Sequence, residues 1–220
     1  MVASSKLSRP SAAKMIVLAY FAYGDALSQR PSTNALERFS NALSIYSQIE
    51  QFFKTQMPGA YASDPLVPRA WGEMGNCQFQ LASNDAAKSE LALALYQKVT
   101  NAASADASTR SQAEVGIGRV QKQQARLASE DGRKAEAAGL LDAALNNFLH
   151  VVYTTREGET PDRFWVKEAA LDAIGILEEQ GKWKPALNVY QRLGEMIPEL
   201  RPALEKKMLN AREKDALQNG

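Results

Sequence analysis

The chain has 220 residues, of which 45% are hydrophobic, and its 26 basic and 25 acidic side chains leave a formal net charge of +1. This apolar share excludes a fully disordered chain, and the balanced charge provides no field that would draw the protein to nucleic acid or to an acidic membrane. Cys77 is the only cysteine, which excludes an intrachain disulfide and a thiolate-rich metal site.

The beginning of the chain allows two interpretations. Lys6, Arg9 and Lys14 precede the apolar run MIVLAYFAY at 15–23. This order resembles a secretory signal, although the run is too short to span a bilayer. The same run fits the first helix of the fold, which we favour, and 1–14 is then an N-terminal tail. The compartment is left open between the cytoplasm and the periplasmic side of a bacterial cell envelope, since the missing disulfides fit both.

Helical patterns occupy most of the remaining chain, and turn signals separate them. Alternating β-branched runs, which are typical of strands, do not occur. Asn34 is a predicted helix N-cap, with Glu37 three residues later. The breaks lie at 29–34, 56–68, 83–85, 102–108, 130–132, 156–162 and 180–182. They delimit eight helical segments, and a ninth opens at Pro202.

Two sequence patterns alternate along these segments. The first segment of each pair has an alanine, a large apolar residue four positions later, and then a glycine, as in AYFAYG from Ala19 and AWGEMG from Ala70. The four glycines are Gly24, Gly75, Gly118 and Gly175. The second segments carry an alanine, an aromatic residue four positions later and an aliphatic residue three positions after that. These triplets are Ala42-Tyr46-Ile49, Ala92-Tyr96-Val99, Ala144-Phe148-Val151 and Ala186-Tyr190-Leu193. Positions i, i+4 and i+7 share one helix face, so these stripes predict helical hairpins that stack to bury them.

These residues resemble the tetratricopeptide (TPR) repeat family. Trp71, Met74 and Gly75 match its tryptophan and leucine-glycine positions, and Trp183, Ala186, Tyr190 and Pro198 match its second helix and closing proline. The glycines are 51, 43 and 57 residues apart rather than 34. Helices or loops are therefore lengthened, as in divergent, bacterial-type members.

The resemblance implies an all-α fold, a right-handed α-solenoid of about four helical hairpins with a C-terminal capping helix. The repeat domain would span 15–200, with repeats near 15–55, 68–102, 108–154 and 163–198. Residues 201–220 would form the cap, with Leu204, Met208 and Ala211 on a narrow apolar stripe. The front has no such cap, so further repeats N-terminal to this chain, or a partner on the first helix, are expected.

Chemistry-bearing residues are sparse. Cys77 lies on an apolar helix stripe and is predicted to be a small buried hydrophobe. His150 is the only histidine, which favours a partly exposed structural or surface role over a catalytic one. The glycines of GIGR at 116–119 lack the strand and Lys-Ser or Lys-Thr of a phosphate loop. The sequence thus predicts no catalytic residues, no metal site and no cofactor.

The predicted function is a non-enzymatic scaffold that binds a protein or peptide partner. In TPR proteins the first helices line the concave face, where partners bind. By repeat position, the resemblance points to Arg69, Glu73, Asn76, Gln80, Gln112, Arg119 and Gln123. Nucleic acid and direct membrane insertion are not expected. Two alternatives remain: a C-terminal structural segment of a longer multi-repeat protein, and an exported bacterial cell-envelope assembly factor.

Overall fold

In the computed structural model, the described residues are 9–31, 34–83, 85–154 and 158–219. They contain nine α-helices and two 3-10 turns and, over those same ranges, no strand. The predicted all-α class is therefore confirmed. Residues 1–8 of the predicted N-terminal tail lie outside the described residues. Residues 9–14 of that tail are helical, because α1 begins at Arg9, and the signal-like apolar run at 15–23 continues the same helix.

The helices divide into two compact units, Met1–Ala105 and Asp106–Gly220. The first unit contains α1 Arg9–Gln29, α2 Ala35–Gln56, α3 Leu66–Ala82 and α4 Ala86–Asn101, with a 3-10 turn at Pro58–Ala60. The second contains α5 Ala107–Glu130, α6 Lys134–Tyr153, α7 Arg163–Glu179, α8 Trp183–Met196 and α9 Arg201–Asn219, with a 3-10 turn at Pro198–Leu200. Within each unit, helices that follow one another along the chain pack together.

Side-chain caps and glycine turns define several helix ends. Asn34 accepts a hydrogen bond from the backbone N–H of Glu37 at 3.1 Å, which confirms the predicted N-cap of α2. Asp106 caps α5 in the same way through the N–H of Thr109 at 2.7 Å. Gly181 separates α7 from α8 with a φ of 69°, a left-handed conformation that glycine adopts without the strain of a Cβ.

The core of the first unit lies between α1, α2 and α3. The stripe predicted for α2 is its centre, because Ala42, Tyr46 and Ile49 are each at most 1% exposed. Val17 and Phe21 reach this core from α1. Phe53, Val67, Ala70 and Cys77 complete it from α2 and α3. Such a continuous apolar interior is the main stabilising contribution to a small helical unit.

The core of the second unit extends from α5 to α9. Ala144 and Phe148 of α6 and Ala186 and Leu193 of α8 are fully buried in it. Leu204 of α9 belongs to the same core, and Met208 packs against it. The narrow apolar stripe of the last helix therefore covers α8, as its sequence predicts.

No helix among the described residues is both long and apolar enough to span a membrane.

Candidate interaction surface

Three helical hairpins bring a glycine of the first helix against an aromatic ring of the second. A methyl group placed on Gly24 would lie 2.5 Å from Cε1 of Tyr46, and one on Gly75 would lie 2.7 Å from Cε1 of Tyr96. The same measurement for Gly118 gives 2.6 Å to Cε1 of Phe148. Carbon atoms in contact are normally about 3.5–4.0 Å apart. Each ring therefore occupies the space that a side chain would need, and the glycine permits the approach.

In the first two hairpins, the ring also anchors the residue that follows the glycine. The Tyr46 hydroxyl donates to Oδ1 of Asp25 at 2.6 Å, and the Tyr96 hydroxyl donates to Oδ1 of Asn76 at 2.9 Å. Burial and the hydrogen bond to Asp25 raise the pKa of Tyr46, since both favour the neutral phenol that donates this bond. The polar residue after each glycine is thus held at the same position relative to its hairpin.

The fourth predicted glycine does not share this role. A methyl group on Gly175 would meet no atom within 4 Å. The Tyr190 hydroxyl instead donates to Oε1 of Glu178 at 3.1 Å, three positions beyond the glycine rather than one. The Tyr190 hydroxyl therefore meets α7 two residues further along than in the first two hairpins, and the equivalence predicted for Gly175 is wrong for this physical reason. Burial and the Glu178 carboxylate raise the pKa of Tyr190 to about 12.

Four of the residues predicted to bind a partner lie at helical spacing on α3, in the first unit. We call Arg69, Glu73, Asn76 and Gln80 the α3 polar face. The Arg69 guanidinium carbon lies 4.3 Å from the centroid of the Phe21 ring, in a cation–π contact. Asn76 donates to Glu73 at 3.1 Å while it accepts from Tyr96. Gln80 is exposed and, among the described residues, has no hydrogen bond or ion pair.

The other three lie on α5, in the second unit. Gln112 is only 8% exposed, and Gln123 is half-buried. Arg119 bridges to α7, because its Nε donates to Asp172 at 2.8 Å and its Nη2 donates to Glu168 at 2.9 Å. Burial alone would lower the pKa of Arg119, but the two carboxylates outweigh it and raise that pKa. Arg119 is therefore already engaged in joining two helices.

A further polar cluster in the first unit is absent from the sequence predictions. The Glu50 carboxylate accepts from the Tyr61 hydroxyl at 2.7 Å, from Lys54 at 3.1 Å and from Lys98 at 3.2 Å. Lys98 also lies 4.2 Å from the centroid of the Trp71 ring. Burial would raise the pKa of Glu50, but these hydrogen bonds and cations prevail and lower it to about 2. The cluster ties α2, α3 and α4 together, and only the i, i+4 spacing of Glu50 and Lys54 is a local sequence signal.

Cys77 and His150, the only cysteine and the only histidine of the chain, each contact neighbouring side chains of the fold. Cys77 is 1% exposed, and burial raises the pKa of its thiol to about 12, so the prediction of a small buried hydrophobe is confirmed. His150 has its side chain 56% exposed, and its Nδ1 lies 2.6 Å from Oε2 of Glu114. Among the described residues, no three His, Cys, Asp or Glu side chains are grouped to hold a metal ion.

Comparison with known proteins returned no match: no family model, no curated protein and no solved structure is significantly similar to the chain. The TPR resemblance therefore stays a prediction that depends on the quoted residues.

Proposed function

We propose that the chain is a non-enzymatic scaffold whose hairpins form a TPR-like right-handed α-solenoid and bind a protein or peptide partner. The observation that supports this best is the repeated glycine–ring packing of Gly24 with Tyr46, Gly75 with Tyr96 and Gly118 with Phe148. Close approach at a glycine fixes the angle and register of each hairpin. Hairpins with the same internal packing present residues of the same position in the same orientation, which is what a repeat scaffold uses to bind an extended partner.

The α3 polar face is the binding surface that we favour. Tyr96 and Glu73 hold Asn76 in place, so its orientation costs little entropy when a partner binds. Arg69 is half-buried on Phe21, and Gln80 is exposed at the other end of the face. Together the four side chains offer amide, carboxylate and guanidinium groups along about three helical turns. Such groups match the backbone and polar side chains of a peptide.

Arg119 has a different role in this proposal. Its two carboxylate partners, Glu168 and Asp172, already accept hydrogen bonds from two of its three guanidinium nitrogen atoms. A change of Arg119 would therefore disturb the packing of α5 with α7 and weaken binding only indirectly. The binding test thus uses the α3 polar face and leaves Arg119 intact.

The test is affinity purification from the source cell with three baits. The wild-type chain is compared with Arg69→Glu/Gln80→Glu, which changes the α3 polar face at its two ends without removing a core side chain. The control bait is Lys207→Glu, which changes an exposed residue of α9. We expect mass spectrometry to identify a protein that the wild type and the control recover equally and that the double variant recovers at least about tenfold less.

Two outcomes would contradict the proposal. Recovery of the same partner by the double variant would exclude the α3 polar face as its binding site. Recovery of no specific protein by any bait, with all three equally helical by circular dichroism, would count against a scaffold function.

A further inference from the structure

The first helix exposes a continuous apolar stripe. Its members recur every three or four residues and are all exposed: Ala12, Met15, Ile16, Ala19, Ala22, Tyr23 and Ala26. Met15 is 57% exposed, Ile16 46% and Tyr23 56%. None of the seven carries a charge, and the opposite face of the helix buries Val17 and Phe21 in the core. We call these seven residues the α1 stripe. A large uncharged apolar surface of this kind marks an interaction site.

The same register positions are covered in the next hairpin. If Gly24 is aligned with Gly75, Ile16, Ala19, Tyr23 and Ala26 of α1 correspond to Val67, Ala70, Met74 and Cys77 of α3. On α3 these residues pack on α2, with Val67 and Ala70 at 0% exposure and Cys77 at 1%. A first helix thus has two packing faces, and on α1 only one of them is covered by the described residues of the first unit. The α1 stripe has the shape and composition to receive another helix.

The α1 stripe is complementary to itself. Its positions are symmetric about Ala19, so in an antiparallel pair with a twofold axis at this residue, Ala12 faces Ala26 and Met15 faces Tyr23 of the other copy. Ile16 then faces Ala22, and Ala19 faces its own counterpart. Small residues oppose small ones at the axis and ends, which allows a close approach, and no charge has to be desolvated. We propose that the α1 stripe binds the α1 stripe of a second copy of this chain, forming a twofold dimer.

A head-to-tail association of copies is less favourable. The last helix exposes charged residues, namely Glu205, Lys206, Lys207, Arg212 and Glu213. Placing that surface on the α1 stripe would desolvate charges without partners. A face-to-face dimer avoids this cost and closes on itself. A helix pair of this length buries on the order of 1,000 Å² in total, at the low end for specific interfaces, so we expect a weak dimer whose population depends on protein concentration.

Disulfide trapping tests the register directly. In the twofold pair, a cysteine at position 19 faces itself, whereas a cysteine at position 12 faces position 26 of the other copy. We expect Ala19→Cys to form an intermolecular disulfide at least about tenfold faster than Leu91→Cys, an exposed position on α4 that serves as control. Ala12→Cys and Ala26→Cys should each crosslink slowly alone and rapidly when mixed. The native Cys77 is buried with its pKa raised to about 12 and contributes little background.

Sedimentation equilibrium of the full chain provides the second readout. We expect the wild type to dimerise, and Ile16→Glu to raise the dimer dissociation constant about a hundredfold, because each interface would bury two unpaired carboxylates. Leu91→Glu, at a residue 53% exposed, should leave the constant unchanged. Both changes lie on exposed positions, and circular dichroism verifies that the variants stay folded.

Three results would overturn this proposal. A wild-type chain that is monomeric up to several hundred micromolar would mean that the α1 stripe is not a dimer interface and is open to a helix of another protein or another segment. Trapping of Ala19→Cys no faster than Leu91→Cys would exclude a twofold axis at position 19. Equally fast trapping of Ala12→Cys alone would exclude the antiparallel register.

Discussion

Replacing Gly75 by alanine is the sharpest test of the glycine–ring packing. The new Cβ would lie 2.7, 2.9 and 3.1 Å from Cε1, Cδ1 and Cζ of Tyr96. To restore an ordinary contact, the ring would have to move by about 0.8 Å. The ring is 1% exposed and its hydroxyl is bonded to Asn76, so such overpacking costs about 1–3 kcal/mol. Alanine regains about 0.5–1 kcal/mol of helix propensity. We therefore expect Gly75→Ala to lower the free energy of unfolding by about 1–2 kcal/mol.

Gly175 provides a matched control inside the same protein. It also lies within a first helix, but a Cβ there would meet no atom within 4 Å. Only the propensity gain applies, so Gly175→Ala should raise the free energy of unfolding by about 0.5–1 kcal/mol. The two glycine-to-alanine changes are thus expected to have opposite signs.

Urea denaturation followed by circular dichroism measures both effects, and thermal melts should follow with about 2–4 °C per kcal/mol for a chain of this size. The double variant Gly75→Ala/Tyr96→Leu removes the ring, and in that background the alanine should no longer destabilise. A Gly75→Ala protein as stable as the wild type would refute the argument. A Gly175→Ala protein destabilised to the same extent would refute it as well.

Three further predictions concern single side chains of the first unit. Glu50→Gln should lower the free energy of unfolding at pH 7 by about 3 kcal/mol, since the folded-state pKa of Glu50 is lowered from 4.5 to about 2. This contribution is present above pH 4.5 and is lost as the pH falls towards 2. Urea titrations should therefore find that the difference in free energy of unfolding between the wild type and Glu50→Gln shrinks over that window. A difference that stays constant would contradict the assigned pKa. Tyr96→Phe, which removes the hydrogen bond to Asn76 and keeps the ring, should cost about 1 kcal/mol in the same assay, and no loss would mean that the hydroxyl does not anchor Asn76. Cys77 should react with a thiol reagent at the rate of unfolding, and rapid labelling of the native protein would contradict its burial.

The helices and the core stripes could be predicted because their signals are local. The spacing of Ala42, Tyr46 and Ile49 places them on one side of α2, where they are buried. Gly75 could be predicted as a packing glycine because the pattern recurs along the chain. For Gly175 the sequence signal is weaker, since Tyr190 follows it by 15 residues whereas Tyr46 and Tyr96 follow their glycines by 22 and 21. The contact itself depends on how far α8 is displaced along α7. That displacement is a tertiary property which the glycine pattern does not encode.

The hydrogen-bond partners of polar side chains on different helices depend on the fold even more than the glycine–ring contacts do. The repeat position of Arg119 predicts a role in binding, but its partners Glu168 and Asp172 lie 49 and 53 residues further along the chain. Lys98 is 48 residues from Glu50 and meets it only because α2 and α4 both pack around α3. Sequence spacing identifies which side chains share a helix face, but it does not identify partners across helices. For this reason a residue that looks available for binding can already have a structural role.

Site-specific photo-crosslinking tests the proposed scaffold function most directly. A photoreactive amino acid replaces Gln80, at the exposed end of the α3 polar face, and in a second protein it replaces Lys207 on α9. We predict that irradiation in the source cell attaches the Gln80 probe to one defined partner protein, and that the Lys207 probe does not capture it. The same partner captured equally from both positions, or no defined adduct from position 80, would contradict binding at the α3 polar face.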